Sequence, residues 1–159
     1  MIFSAILPAV TAIVMSLTRF PNAGLAVMPC SLAMDSPAFI ISTFTGGISQ
    51  YTGGESFTFY LNTTYNDYHS GCSGSIANGA GDNGLQWCST RIPGWNVSYV
   101  MTHDHKVLVN HDFLCSLTDG AVISAHAEGA TNLNVTSAAK GRLNMNPASH
   151  IFPASVTIS

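Results

Sequence analysis

Charged residues are scarce in this 159-residue chain, at 8% of positions against about 25% in ordinary soluble domains. Five Lys and Arg stand against eight Asp and Glu, for a net charge of −3, and no basic tract occurs. Without clustered positive charge to neutralise phosphates, nucleic-acid binding loses its main source of affinity. No CxxC pair exists, which argues against a zinc ribbon. No G-x-S-x-G elbow is present and glutamate occurs only at Glu55 and Glu128, so the common hydrolase arrangements lack their parts. No cleavage point of the N-terminal segment leaves a histidine first, which removes a copper monooxygenase. No helical apolar stripe follows the first residues, and there is neither an internal repeat nor a linker. The length suits one domain.

What is present points outside the cell. Residues Ile2 to Leu17 form an apolar run broken by Pro8 that resembles a signal-peptide core, although a basic start is missing. The run is short of the roughly 20 apolar residues of a membrane span, so a cleaved leader over 1–26 is expected, with its boundary between 18 and 26. Loss of Arg19 with the leader would leave a mature charge of −4. No membrane association is expected after cleavage. Cys30, Cys72, Cys88 and Cys115 follow, an even number that reads as two disulfides with three arithmetically allowed pairings. Sequons stand at Asn62, Asn96 and Asn134.

Period-2 alternation, interrupted by Gly, Asn, Asp and Pro, predicts strands and an all-β fold: a single antiparallel β-barrel or β-sandwich over 27–159. In 55–65, Phe57, Phe59 and Leu61 share one face and Thr58, Tyr60 and Asn62 the other. In 95–103, Trp95, Val97, Tyr99 and Met101 point inward and Asn96, Ser98 and Thr102 outward. In 106–115, Val107, Val109, Phe113 and Cys115 form the inner set. Segments 38–44, 121–130, 131–137 and 155–159 are further strand candidates. Each sequon Asn opposes the large apolar residues in parity, as a glycan in water requires. Residues 71–84, rich in Gly and Asn, read as an exposed loop, and the tail from about 137 as loosely packed. Trp87 joins Phe57, Phe59, Trp95, Tyr99 and Phe113 as a core candidate, while Tyr51, Tyr60, Tyr65 and Tyr68 suit a wet contact surface.

His103 and His105 form an HxH pair, with His111 and Asp112 further on, a pattern that invites a metal hypothesis. At a hairpin tip, however, Asp and His are ordinary turn residues. The expectation is no metal and no cofactor, with His103, His105 and His111 as the weak candidates, or a pH-sensitive contact. A ribonuclease-like pairing of Glu128 with His126 or His111 is the enzymatic alternative.

The order of features resembles the secreted fungal family of the Alternaria major allergen. It rests on FIISTF followed by TGG, on SFTFYLN, on Cys72, a loop and WCS with Trp87 and Cys88, on Tyr99, and on HKVLVNHDFLC and ISAHAEGA. The resemblance covers about 38–133. It implies a small all-β barrel or sandwich with Cys72 paired to Cys88 and Cys30 to Cys115. It further implies a non-enzymatic effector that binds a host extracellular protein or cell-wall component. Surface loops 45–55, 65–84 and 101–106 would make the contact. A homodimer is compatible with this reading, and a small-molecule or glycan carrier is its alternative. Family members often carry a second local bridge further along, for which Cys115 has no downstream partner here.

Overall fold

The computed structural model describes residues 26–66, 68–89 and 92–159. Apart from Ala26, the expected leader lies outside them. In chain order the elements are β1 (Val27–Pro29), a one-turn helix α1 (Cys30–Met34), β2 (Ala38–Ile48), β3 (Glu55–Thr63), β4 (His69–Ile76), β5 (Gln86–Trp87) and β6 (Asn96–Met101). They continue with β7 (Lys106–Ser116), β8 (Val122–Asn132), β9 (Val135–Ala138), β10 (Arg142–Met145), β11 (Ser149–Pro153) and β12 (Ser155–Ile158). The fold is all-β, as the alternation predicts. No helix among the described residues is long and apolar enough to cross a membrane.

Two antiparallel sheets carry the structure. One runs β12-β8-β7-β6-β5, and the other β4-β3-β2-β10-β9, with β11 pairing the first half of β2. β1 pairs in parallel with Leu114–Ser116 at the end of β7. The sheets meet at both sides. On one, Ser89 bridges Gly71 of β4 immediately after β5. On the other, only Ala154 separates β11 in one sheet from β12 in the other. The result is a sandwich closed toward a flattened barrel, which protects strand edges that would otherwise invite pairing with other chains.

The inner faces follow parity where the strands are regular. Phe57, Phe59 and Leu61 are buried from β3, Val97, Tyr99 and Met101 from β6, and Val107, Val109, Phe113 and Cys115 from β7. Parity breaks in β2. Its register shifts between Ser42 and Thr45, and Thr43 takes φ +53°, a left-handed conformation that β-branched residues rarely adopt. This bulge turns Phe44 into the core after Phe39 and Ile41, and leaves Thr43 and Thr45 outside. Bulges re-aim side chains in this way.

Five expectations need correction. Residues 69–76 form the eight-residue strand β4, in which Ser70, Cys72 and Ile76 are buried. Small residues suit it because β6 packs closely: a Cβ on Gly74 would lie 2.6 Å from the Tyr99 hydroxyl. The tail is not loose. Leu143, Met145 and Phe152 enter the core from β10 and β11, while Pro147 lies in the turn between those strands and Pro153 ends β11, positions that need no ladder donor. Tyr65 and Tyr68 are buried, 5% and 2% exposed, whereas Trp87 is 62% exposed. Ser98, expected outside, is also buried.

His111 completes the inner face of β7 and is fully buried. Its Nδ1 lies 2.9 Å from the Tyr65 hydroxyl, and its ring packs against Tyr68, Trp95 and Phe113. Burial lowers its pKa to about 4, with Asp112 opposing and His126 reinforcing the shift. A neutral histidine in this place stabilises the fold fully above the unfolded value of about 6.5. That contribution is lost as pH falls from there toward 4. Urea unfolding should therefore show a loss of about 3 kcal/mol across that window, and His111→Gln should flatten the dependence even though it lowers stability at neutral pH.

Both disulfides that the resemblance implies are formed, Cys30–Cys115 and Cys72–Cys88. Two disulfides are compatible with an extracellular protein. The 16-residue separation of Cys72–Cys88 corresponds to about 3 kcal/mol in the chain-entropy account, and the 85-residue separation of Cys30–Cys115 to about 4–5 kcal/mol. Cys72→Ser/Cys88→Ser should lower the urea midpoint accordingly, and Cys30→Ser/Cys115→Ser should lower it more.

Candidate functional site: an aromatic-walled groove

Along β4 the outward positions are small: Gly71, Ser73 and Ser75 follow His69. Their neighbours are larger. On β3, Tyr60 stands opposite Gly71 and is 43% exposed. Across the seam between the sheets, Trp87 ends β5. A strand of small residues between two aromatic side chains makes a groove of about 570 Å³, lined by Thr43, Thr45, Thr58, Tyr60, Gly71, Ser73, Trp87 and Ser89, with Phe59 and the Cys72–Cys88 bridge beneath. That volume lies within the usual range for small-ligand sites.

Each wall is held in place. Trp87 adjoins Cys88, whose disulfide fixes it to β4, and Ser89 donates from its backbone N–H to the Gly71 carbonyl at 2.9 Å. Tyr60 stacks on His69 with ring centroids 4.7 Å apart. The β2 bulge supplies Thr43 and Thr45, and the Thr45 and Thr58 hydroxyls lie 3.0 Å apart. The disulfide and the β5–β6 ladder thus anchor the backbone that carries the exposed Trp87 indole.

His103 and His105 meet at Glu55, and His111 lies apart from them. His103 and His105 occupy the turn between β6 and β7, and His111 lies in the core. His105 Nε2 is 3.1 Å from Glu55 Oε2 and His103 Nδ1 is 3.5 Å from Glu55 Oε1. Glu55, 7% exposed, thus ties the start of β3 to the opposite sheet. Among the described residues no group of three His, Cys, Asp or Glu can hold a metal ion. His126 pairs with Asp112 at 2.7 Å. Glu128 instead stands opposite Asn110 and Ser155. The His126 and Asp112 side chains are 42% and 58% exposed, where water screens an ion pair to about 0–1 kcal/mol.

Asn96 is exposed on β6, and Asn62 is half-buried on the outer face of β3 opposite His69. Asn134 is exposed in the link between β8 and β9 rather than within a strand. The other large cavity, about 640 Å³, opens beside Ala26, the first described residue, and its aromatic walls Tyr65 and Trp95 belong to the core.

Thr45, Gly71 and Ser73 fall within the segments 45–55 and 65–84 expected to make contact, and Tyr60 was a surface candidate, whereas Thr43, Thr58, Trp87 and Ser89 were missed as site residues. The alternation of small polar residues with Cys72 and Ile76 in 69–76 was a usable signal. The bulge that exposes Thr43 and Thr45 left none.

Trp87→Ala should change stability by less than about 0.5 kcal/mol, as expected of an exposed position, while removing most of the iodide-quenchable tryptophan fluorescence. The buried Trp95 should keep its emission. Comparison with models of known protein families, with curated proteins and with solved structures found no match.

Proposed function

We propose that this chain is a secreted, non-enzymatic effector of the kind its resemblance to the Alternaria allergen family implies, and that it engages a host or cell-wall partner at the Tyr60–Trp87 groove. The observation that carries the reading is the exposed indole of Trp87, fixed beside a disulfide and facing a strand of small residues. Tyrosine and tryptophan combine an apolar body with a polar tip, which favours them at wet contact surfaces. On this reading recognition uses a sheet face that takes in Thr45, Gly71 and Ser73 of the expected contact segments, and not the 101–106 turn. Secretion is supported by the two disulfides, the leader-like run over 2–17, and three sequons, of which Asn96 and Asn134 are exposed. The Asp112–His126 pair supports no enzymatic reading, because it stands in water without the desolvation that makes such pairs reactive.

The test combines mass spectrometry of the secreted protein with retention on plant cell-wall material and infiltration of leaf tissue. A mature N-terminus from residue 19 to 27 and occupied sequons are expected. Retention or the tissue response should fall about tenfold in Trp87→Ala, with unchanged melting temperature. Loss of neither in a folded variant overturns the assignment to the groove.

A further inference from the structure

We infer that the groove binds a neutral oligosaccharide segment of a cell-wall or surface glycan. The inference rests on the groove being the binding site, and it concerns what that site selects.

Three properties of the lining converge on this chemistry. The first is charge. None of the eleven lining residues is acidic or basic, and the chain carries a net charge of −3. An anionic polymer such as a polyuronate or nucleic acid would enter without a counter-charge and against the field of the protein. The second is the pattern of hydroxyls. Thr43, Thr45, Thr58, Ser73, Ser89 and Tyr60 each donate and accept, matching sugar hydroxyls, which also do both. Three of these hydroxyls are already oriented within the protein: Thr45 and Thr58 lie 3.0 Å apart, and Ser89 Oγ donates to the Gly71 backbone carbonyl at 3.1 Å. The third is the aromatic pair. A pyranose has an apolar C–H face and a polar rim, so it lies on an aromatic face while its hydroxyls reach neighbouring side chains. Tyr60, stacked on His69, is 43% exposed, and Trp87 is open to solvent.

The shape favours a segment of a chain over an engulfed small molecule. Gly71 keeps the floor low between the walls: a Cβ there would meet Ser89 Oγ at 3.5 Å and Tyr60 Cε1 at 3.8 Å, ordinary contacts that leave the backbone undisturbed. A larger side chain at this position would rise into the groove. Glu55 is engaged with His103 and His105, and His111 lies inside the core, so these groups do not bear on this selectivity; His69, stacked on Tyr60, is the titratable group that adjoins the groove.

Trp87 provides the test. Only two tryptophans are present, and Trp95 is buried, so sugar stacking reads out as loss of iodide quenching and a blue shift from Trp87. The secreted protein is titrated with neutral gluco-oligosaccharides, N-acetylglucosamine oligomers and manno-oligosaccharides, and in parallel with oligogalacturonate and a simple phenolic. The series is repeated on Asn62→Gln, so that sugar attached beside His69 does not mask the groove. At least one neutral series should protect Trp87. Calorimetry should then show affinity for that sugar falling about tenfold or more in both Trp87→Ala and Gly71→Leu, with melting temperatures retained. Protection only by oligogalacturonate or the phenolic, or by no ligand, overturns the sugar inference. In that case, continued loss of cell-wall retention or tissue response in Trp87→Ala and Gly71→Leu leaves the groove standing as the contact site. If those variants change neither retention nor response, the groove assignment falls as well.

Discussion

The seam closed by Cys72–Cys88 is the constraint on which the rest of the molecule depends. Here the last strand of each sheet, β4 and β5, comes together. Each alone would present unpaired backbone groups along an edge, and a two-residue strand such as β5 has little intrinsic stability. The disulfide and the Gly71–Ser89 pairing replace that weak edge with a fixed junction. Because Trp87 immediately precedes Cys88, the same bridge that closes the fold also fixes an exposed aromatic face. Stability and the candidate site therefore share one covalent bond.

Closure at both sides has a second consequence. The interior is filled by Phe39, Phe44, Phe57, Phe59, Tyr99 and Phe113, with His111 carried neutral among aromatic rings. A carrier that swallowed its ligand between the sheets would have to displace this packing, at a cost of several kcal/mol for each large side chain moved. Outer faces escape that penalty. The low charge of the chain fits this division, since its surface is made polar largely by Ser, Thr and Asn.

Much of the fold was legible in the sequence because β3, β6 and β7 are regular strands buried on one face, and such strands print their register as strict alternation. Legibility failed where position along the strand ceased to decide direction. In β2 the Thr43 bulge reverses parity, and nothing in FIISTF announces a left-handed threonine. Tyr65 and Tyr68 looked like surface residues because they lie in a polar stretch, yet their rings complete the cluster around His111. Trp87 looked like core because tryptophan usually is. Its direction is set by the register in which β5 pairs with the next strand, β6, Trp87 opposite Ser98, and composition does not encode that register. β4 was hidden for a related reason: a strand that accepts Tyr99 against Gly74 must be poor in the residues that identify strands.

The same poverty explains why the site lies where it does. Small residues on β4 are required inside by the close approach of β6, but Gly71 and Ser73 face outward, where packing exerts no such demand. With Ala-sized or larger groups there, the valley between Tyr60 and Trp87 would fill at no evident cost to the core, since a Cβ at Gly71 meets only ordinary contacts. An apolar body at position 71 would even bury surface and add stability. The structure thus leaves open a groove that folding alone would permit to close, and walls it with two aromatic side chains and a row of hydroxyls. That mismatch between what stability allows and what the chain contains is the physical reason to seek the function of the protein at this face.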